Sequence, residues 1–271
     1  MKLDLIIDTV EHAVDMKTGL ETLAGVSETV RSIVEAALTD SVSQRTLSTN
    51  KVRNKMMESF EGSYGIVFEI QIEDQDLKLK MDQIGNQAMG EVINYFISEG
   101  LYRELPELTP KAKIALNNMS EETQEKLLTR LRRSPLEKAH SVSSTFGYDV
   151  KLRRHVNEFK RREIVKLDRQ GKTNLTPTMN SNSLFIRACI TRLNINTGNG
   201  RLLLDGETDT VAFGFIARYK EVKFASKTVF SENLNHNNGT TSDKWEYIDI
   251  KATTLRLKSG HIIKYLITGF E

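Results

Sequence analysis

The chain has 271 residues, enough for one large or two modest domains, with ordinary hydrophobic (39%) and charged (27%) fractions. Its 38 basic and 36 acidic side chains nearly cancel, and a single cysteine, Cys189, excludes an intramolecular disulfide and a thiolate zinc site. The charge is unevenly spread: residues 126–172 hold roughly 14 basic and 5 acidic side chains, about +9, which leaves the remainder near −7.

Taken in chain order, Leu3, Leu5 and Ile7 alternate with Lys2 and Asp4, which predicts a strand over about 2–8. Leu20, Leu23, Val26, Val30, Ile33 and Ala37 fall on one face of a long helix, capped by Asp15 or Thr18. Residues 39–50 read as a polar loop. Ile66, Phe68, Ile70 and Ile72 give the period-two pattern of a half-buried strand, and residues 51–60 are its hairpin partner. Leu77, Met81, Ile84, Ala88, Val92 and Tyr95 predict one continuous helix ending at Gly100. Thr109-Pro110 and Ser120-Glu121-Glu122 open two further helices, the second limited by Pro135. Over 149–166, Leu152, Val156 and Phe159 at helical spacing predict a helix followed by a strand.

Near residue 183 the texture changes to short strands joined by Asn/Gly turns. Strands are expected over 184–195, 201–204, 210–215 and 245–257, and from 261 to 267. The segment 217–227 forms one or two helical turns, and 235–239 a loop tip. The fold expected is α+β. An α+β domain (1–173, with the basic segment 126–172) leads through a linker (174–183) to a small β-barrel of SH3-like or OB-like size (184–271).

The strongest functional signal is cationic: Arg130, Arg132 and Arg133; Lys151, Arg153 and Arg154; Lys160, Arg161 and Arg162. Clustered guanidinium and ammonium groups are what neutralisation of a polyanion needs, and a solvated helix face is the plainer alternative. Aromatics near them are few (Phe146, Tyr148, Phe159). Asp8, His12 and Asp15 at i, i+4 and i+7 would place a histidine between carboxylates, suited to a general base, although capping explains them more simply. Cys189 sits in an apolar strand, a setting for packing rather than attack. Residues 197–200 are a hairpin turn without the Lys-Ser/Thr pair of a phosphate loop.

The order of strand, Asp/His turn and Leu-rich helix, with Glu61-Gly62-Ser63-Tyr64-Gly65 and Asn196-Thr197-Gly198-Asn199-Gly200-Arg201, resembles a loose group of uncharacterised bacterial α+β proteins with a small C-terminal β domain. Some lie near phage-defence or mobile-element genes. The resemblance implies architecture and no catalytic residues. The function expected is a non-enzymatic binding or regulatory protein of the bacterial cytoplasm, a sensor or scaffold of phage defence. The alternatives are a nucleic-acid-binding protein and, third, a hydrolase using Asp8, His12 and Asp15. Self-association or a protein partner is expected, with nucleic acid as the other partner class. No cofactor, metal or membrane contact is expected, and the first residues lack the pattern of a secretory signal.

Overall fold

The structure, a computed structural model, describes residues 1–9, 13–43, 51–60, 64–105 and 107–270. It is a mixed α+β arrangement with two sheets, divided into one compact unit over Met1–Leu175 and another over Thr176–Glu271.

The first unit is built on an antiparallel sheet ordered β2 (Val52–Phe60), β3 (Tyr64–Ile72), β1 (Lys2–Ile7), β4 (Val150–His155), β5 (Arg161–Leu167). Leu3, Leu5 and Ile7 of β1 lie opposite Phe68, Ile66 and Tyr64 of β3, so one face of the sheet is apolar. Helices cover that face. The 24-residue α1 (Met16–Thr39) is buried on nearly every side because other helices pack around it. Asp15 is its cap, its carboxylate accepting from the Thr18 amide at 2.9 Å. Glycine matters once here: a Cβ on Gly25 would lie 2.2 Å from the Ala139 nitrogen, so its absence lets the backbone of α6 (Pro135–Ala139) touch α1.

The single helix expected from Leu77 to Gly100 is two. Gly85, at φ +80°, ends α2 (Gln75–Ile84), and α3 (Asn86–Gly100) starts beside it; Gly100 is the last residue of α3 rather than a terminator beyond it. Both helices put their apolar stripe on the core, which is why the periodicity ran through the break. Helices α4 (Pro110–Asn117) and α5 (Glu121–Arg133) start from Thr109 and Ser120, whose hydroxyls accept from the amides of Ala112 and Thr123. The short α7 (Ser141–Phe146) follows α6.

The helix expected in 149–166 is instead the hairpin β4–β5. Val150 and Leu152 are buried on the core side, whereas Val156 and Phe159, the other members of the supposed helical stripe, are exposed. Residues 178–183, read as linker, are the start of a 16-residue strand, β6 (Thr178–Leu193), after the short α8 (Arg169–Asn174); the two units meet at residues 175–176.

The second unit adds β7 (Gly200–Leu204), β8 (Thr210–Phe215), α9 (Phe224–Asn237), β9 (Ile248–Arg256) and β10 (Ile262–Phe270). Pairing runs β10-β8-β7-β6-β9 and returns from β9 to β10, antiparallel except between β8 and β10. Phe213, Phe230, Ile250, Tyr265 and Ile267 fill the space between the strands. The segment 217–227, expected to hold one or two turns, holds a 3-10 turn (Tyr219–Glu221) and the start of a 14-residue helix that includes Phe230 and runs into the expected loop tip as far as Asn237. Its Asn233 and Asn237 are buried for a reason. Asn233 accepts from the Ile190 amide at 2.8 Å, both side-chain amides donate to the Glu246 carbonyl, and Asn237 accepts from the Glu246 amide.

Two predictions follow from packing and burial in the first unit. Gly25→Ala forces α6 away from α1 and is expected to destabilise the unit by about 2 kcal/mol, read as a lower urea midpoint; an unchanged midpoint contradicts the close approach. His140 is fully buried, its Nδ1–H donating to the Leu136 carbonyl at 2.6 Å, and burial lowers its pKa to about 4. Arg103, Asp168 and Lys172 are the charged groups that face it. Because the folded value lies below the unfolded one, protons favour the unfolded chain as pH falls through 6.5, and the loss is complete near 4. Stability is expected to drop by about 2 kcal/mol between pH 7 and 5, and a His140→Gln chain to lack that decline in urea titrations at the two pH values.

Candidate functional site

The nine cations expected to meet a polyanion do not form one surface. Arg130, Arg132 and Arg133 lie on α5, Lys151, Arg153 and Arg154 on β4, Lys160 in the connecting turn, and Arg161 and Arg162 on β5. Four of them are ion-paired within the chain: Arg130 with Glu28 at 2.7 Å, Lys151 with Asp8 at 2.9 Å, and Arg153 and Arg161 with Asp4 at 3.0 and 3.3 Å. Arg132 donates to the carbonyls of Glu99 and Gly100 and lies 4.3 Å over the Tyr102 ring. Arg154 is buried on the helix side of β4, over Gly90, where burial and then the neighbouring Arg162 lower its pKa. Arg133, Lys160 and Arg162 are exposed.

The centre of this arrangement is Asp4, a residue the sequence reading passed over. It sits in the middle of β1 on the face opposite the core, 2% exposed, in register with Arg153. Besides the two arginines, its carboxylate receives His155 Nε2. A carboxylate between a histidine and two guanidiniums has the parts of a charge-stabilised base. Here, however, Asp4 binds both arginines and the His155 ring and ties the β4–β5 hairpin to β1. No sequence pattern announces it, because Asp4 and its partners are about 150 positions apart.

Arg133 and Arg130 also border a cleft of about 650 Å³ between α1 and α5, with Glu28, Lys126, Thr129 and Ser134. In the second unit the register aligns Arg192, Arg201, Ala212 and Lys264 across β6, β7, β8 and β10. Leu202, Phe213 and Tyr265, which alternate with them, are in the core, so this row lies on the outer surface of the strands. Arg201 donates to Thr210 and Lys264 to Asn199, and both are largely buried.

The Asp8/His12/Asp15 set is not brought together as a described site. His12 lies outside the described residues, Asp8 pairs with Lys151, and Asp15 caps α1, the Thr18 amide holding its carboxyl below the usual range. Cys189 is buried between strands, and burial pushes its thiol up, away from the reactive thiolate. Among the described residues, no three His, Cys, Asp or Glu side chains are grouped to hold a metal ion, and no helix is long and apolar enough to cross a membrane. The 197–200 turn is organised by Asn194, whose side chain accepts from the amides of Asn196 and Thr197, and Gly198, at φ +67°, admits the Tyr219 ring.

Asp4→Asn leaves two guanidiniums and an imidazole without their anion. The expected cost is about 2–3 kcal/mol, below that of a fully buried pair because Arg153 and Arg161 are partly exposed. Urea unfolding followed by circular dichroism checks it; a shift under about 0.5 kcal/mol would mean that the carboxylate is not the anchor.

No family model matches the chain, and no curated protein or solved structure matches it either.

Proposed function

We propose that the chain is a non-enzymatic binding protein whose ligand is single-stranded nucleic acid, recognised through an OB-like barrel in the second unit. The observation that carries this reading is the order of strand pairing. Numbered within the unit, the ring runs first, second, third, fifth, fourth and back to the first, with third and fifth parallel and a helix between third and fourth. That is the connectivity of the OB barrel, whose second and third strands and adjoining loops commonly hold oligonucleotides or oligosaccharides.

Charge favours the nucleotide over the sugar. Arg192 on the first strand, Arg201 on the second and Lys264 on the fifth form one row, the last two largely buried and donating to Thr210 and Asn199, and the loops 194–199 and 257–261 add Asn196, Lys258 and His261. In the first unit the exposed Lys160 and Arg162 provide further phosphate contacts. A non-enzymatic role is supported by how the polar clusters are used: Asp4, Asp8, Asp15 and His140 hold backbone or cations in place.

A second reading, a regulatory protein that binds a protein partner or its own copy, is favoured by one observation. Four of the nine clustered cations already have intrachain acids, as do Lys126, Lys166 and Lys172 of the same segment, which leaves less charge for phosphates.

Fluorescence anisotropy with labelled single-stranded DNA and RNA separates the two. The proposal expects binding at about 50 mM salt that weakens steeply by about 200 mM. Lys160→Ala and Arg162→Ala should each reduce the salt slope by about 0.7. Absence of binding to either strand at the lower salt rejects this reading in favour of the protein partner.

A further inference from the structure

The connection between β4 and β5 presents Phe159 with 91% of its surface exposed, the highest among the large hydrophobic side chains described. An isolated exposed apolar residue needs no explanation by itself. The construction beneath this one is what gives it meaning. Asn157 accepts from the amides of Phe159 at 3.0 Å and Lys160 at 2.7 Å, an Asx turn. The Val156 amide donates to the Lys160 carbonyl at 2.8 Å, closing the hairpin. Arg161 then reaches back: one amino group donates to the carbonyls of Asn157 and Glu158, each at 2.9 Å, while its Nε faces Asp4. The turn is held by Asn157 and Arg161, and neither bond uses the side chain at 159.

The ring therefore stands on a braced turn that also carries Val156, 44% exposed, and the exposed Lys160; Arg162 follows on β5, paired with Arg154 and facing Glu91 of α3. An aromatic face with the Lys160 ammonium next to it in the turn matches a nucleotide, whose base stacks while its phosphate takes the cation. It matches an electroneutral protein pocket less well, since the cation would then be desolvated without a partner.

We infer that the β4–β5 hairpin is a nucleic-acid-contacting finger, in which Phe159 stacks on an unpaired base and Lys160 holds a flanking phosphate. This rests on the proposed nucleic-acid reading and assigns a contact to the first unit in addition to the barrel.

The test uses the full chain with single-stranded DNA and a matched strand carrying abasic sites. Phe159→Ala is expected to weaken binding to the intact strand about tenfold while leaving the salt slope and the urea midpoint unchanged. Its effect should vanish on the abasic strand, and Phe159→Trp should restore affinity and show indole quenching on binding. Equal affinity of parent and Phe159→Ala for the intact strand overturns the finger but leaves the barrel reading standing. No binding by the parent overturns both. Phe159-dependent binding to anionic phospholipid vesicles, without binding to DNA, would make the tip a lipid anchor and also overturns the inference.

Discussion

One buried carboxylate organises the basic half of the first unit. Removing an ion from water costs several kcal/mol unless good geometry and hydrogen bonds offset it, and Asp4 is offset by Arg153, Arg161 and His155 together. The consequences reach beyond β1. Arg161 uses Nε for Asp4 and an amino group for the carbonyls of the hairpin turn, so the same anion that docks the hairpin also stiffens its tip. What looks in the sequence like a concentration of charge for an outside partner is in part an internal lattice.

The second unit solves a different problem. Five strands and one 14-residue helix must pair without leaving backbone groups stranded. The 16-residue β6 serves two neighbours, pairing with β9 over its first part and with β7 over its last, and the irregularities at 180–184 and 190–192 let it turn between them. Near the second irregularity the Ile190 amide is taken by Asn233 of α9, so the helix satisfies a strand donor while Phe230, one turn earlier, joins the aromatic cluster with Phe213 and Phe215. A helix with asparagines facing strand ends has little amphipathic signature, which explains why residues 235–237 read as part of a loop tip.

Elements whose side chains obey a single period were legible: β1, α1, β3, and the capped starts of α4 and α5. The failures share a cause, in that tertiary position overrode a local pattern. Gly85 breaks a stripe that remains in phase on both sides, because the second helix returns to the same core. In 150–155 the strand alternation is Val150 and Leu152 against Lys151, Arg153 and His155, but Arg154 also points inward and a bulge follows on β5, so the period is obscured. The two residues that completed the helical spacing, Val156 and Phe159, turned out to belong to an exposed turn. The site was less legible than the fold: residue types told that cations were numerous, but only the register of β1 against β4 tells which are already neutralised.

That distinction bears on how a nucleic-acid ligand would be held. With Arg130, Lys151, Arg153 and Arg161 engaged by acids, the exposed cations of the basic segment's notable clusters reduce to Arg133, Lys160 and Arg162. Each phosphate contact to a single strand contributes about 0.7 to the salt slope, so three give a modest electrostatic attachment. On the proposed reading the rest of the first unit's contribution must come from contacts that salt does not screen. Base stacking is one such contact, and an aromatic ring on a turn already braced by Asn157 and Arg161 loses little conformational freedom when it engages. On that reading the neutralised Arg161 and the exposed phenylalanine are parts of one design: a charge held by Asp4 braces the turn that presents the ring.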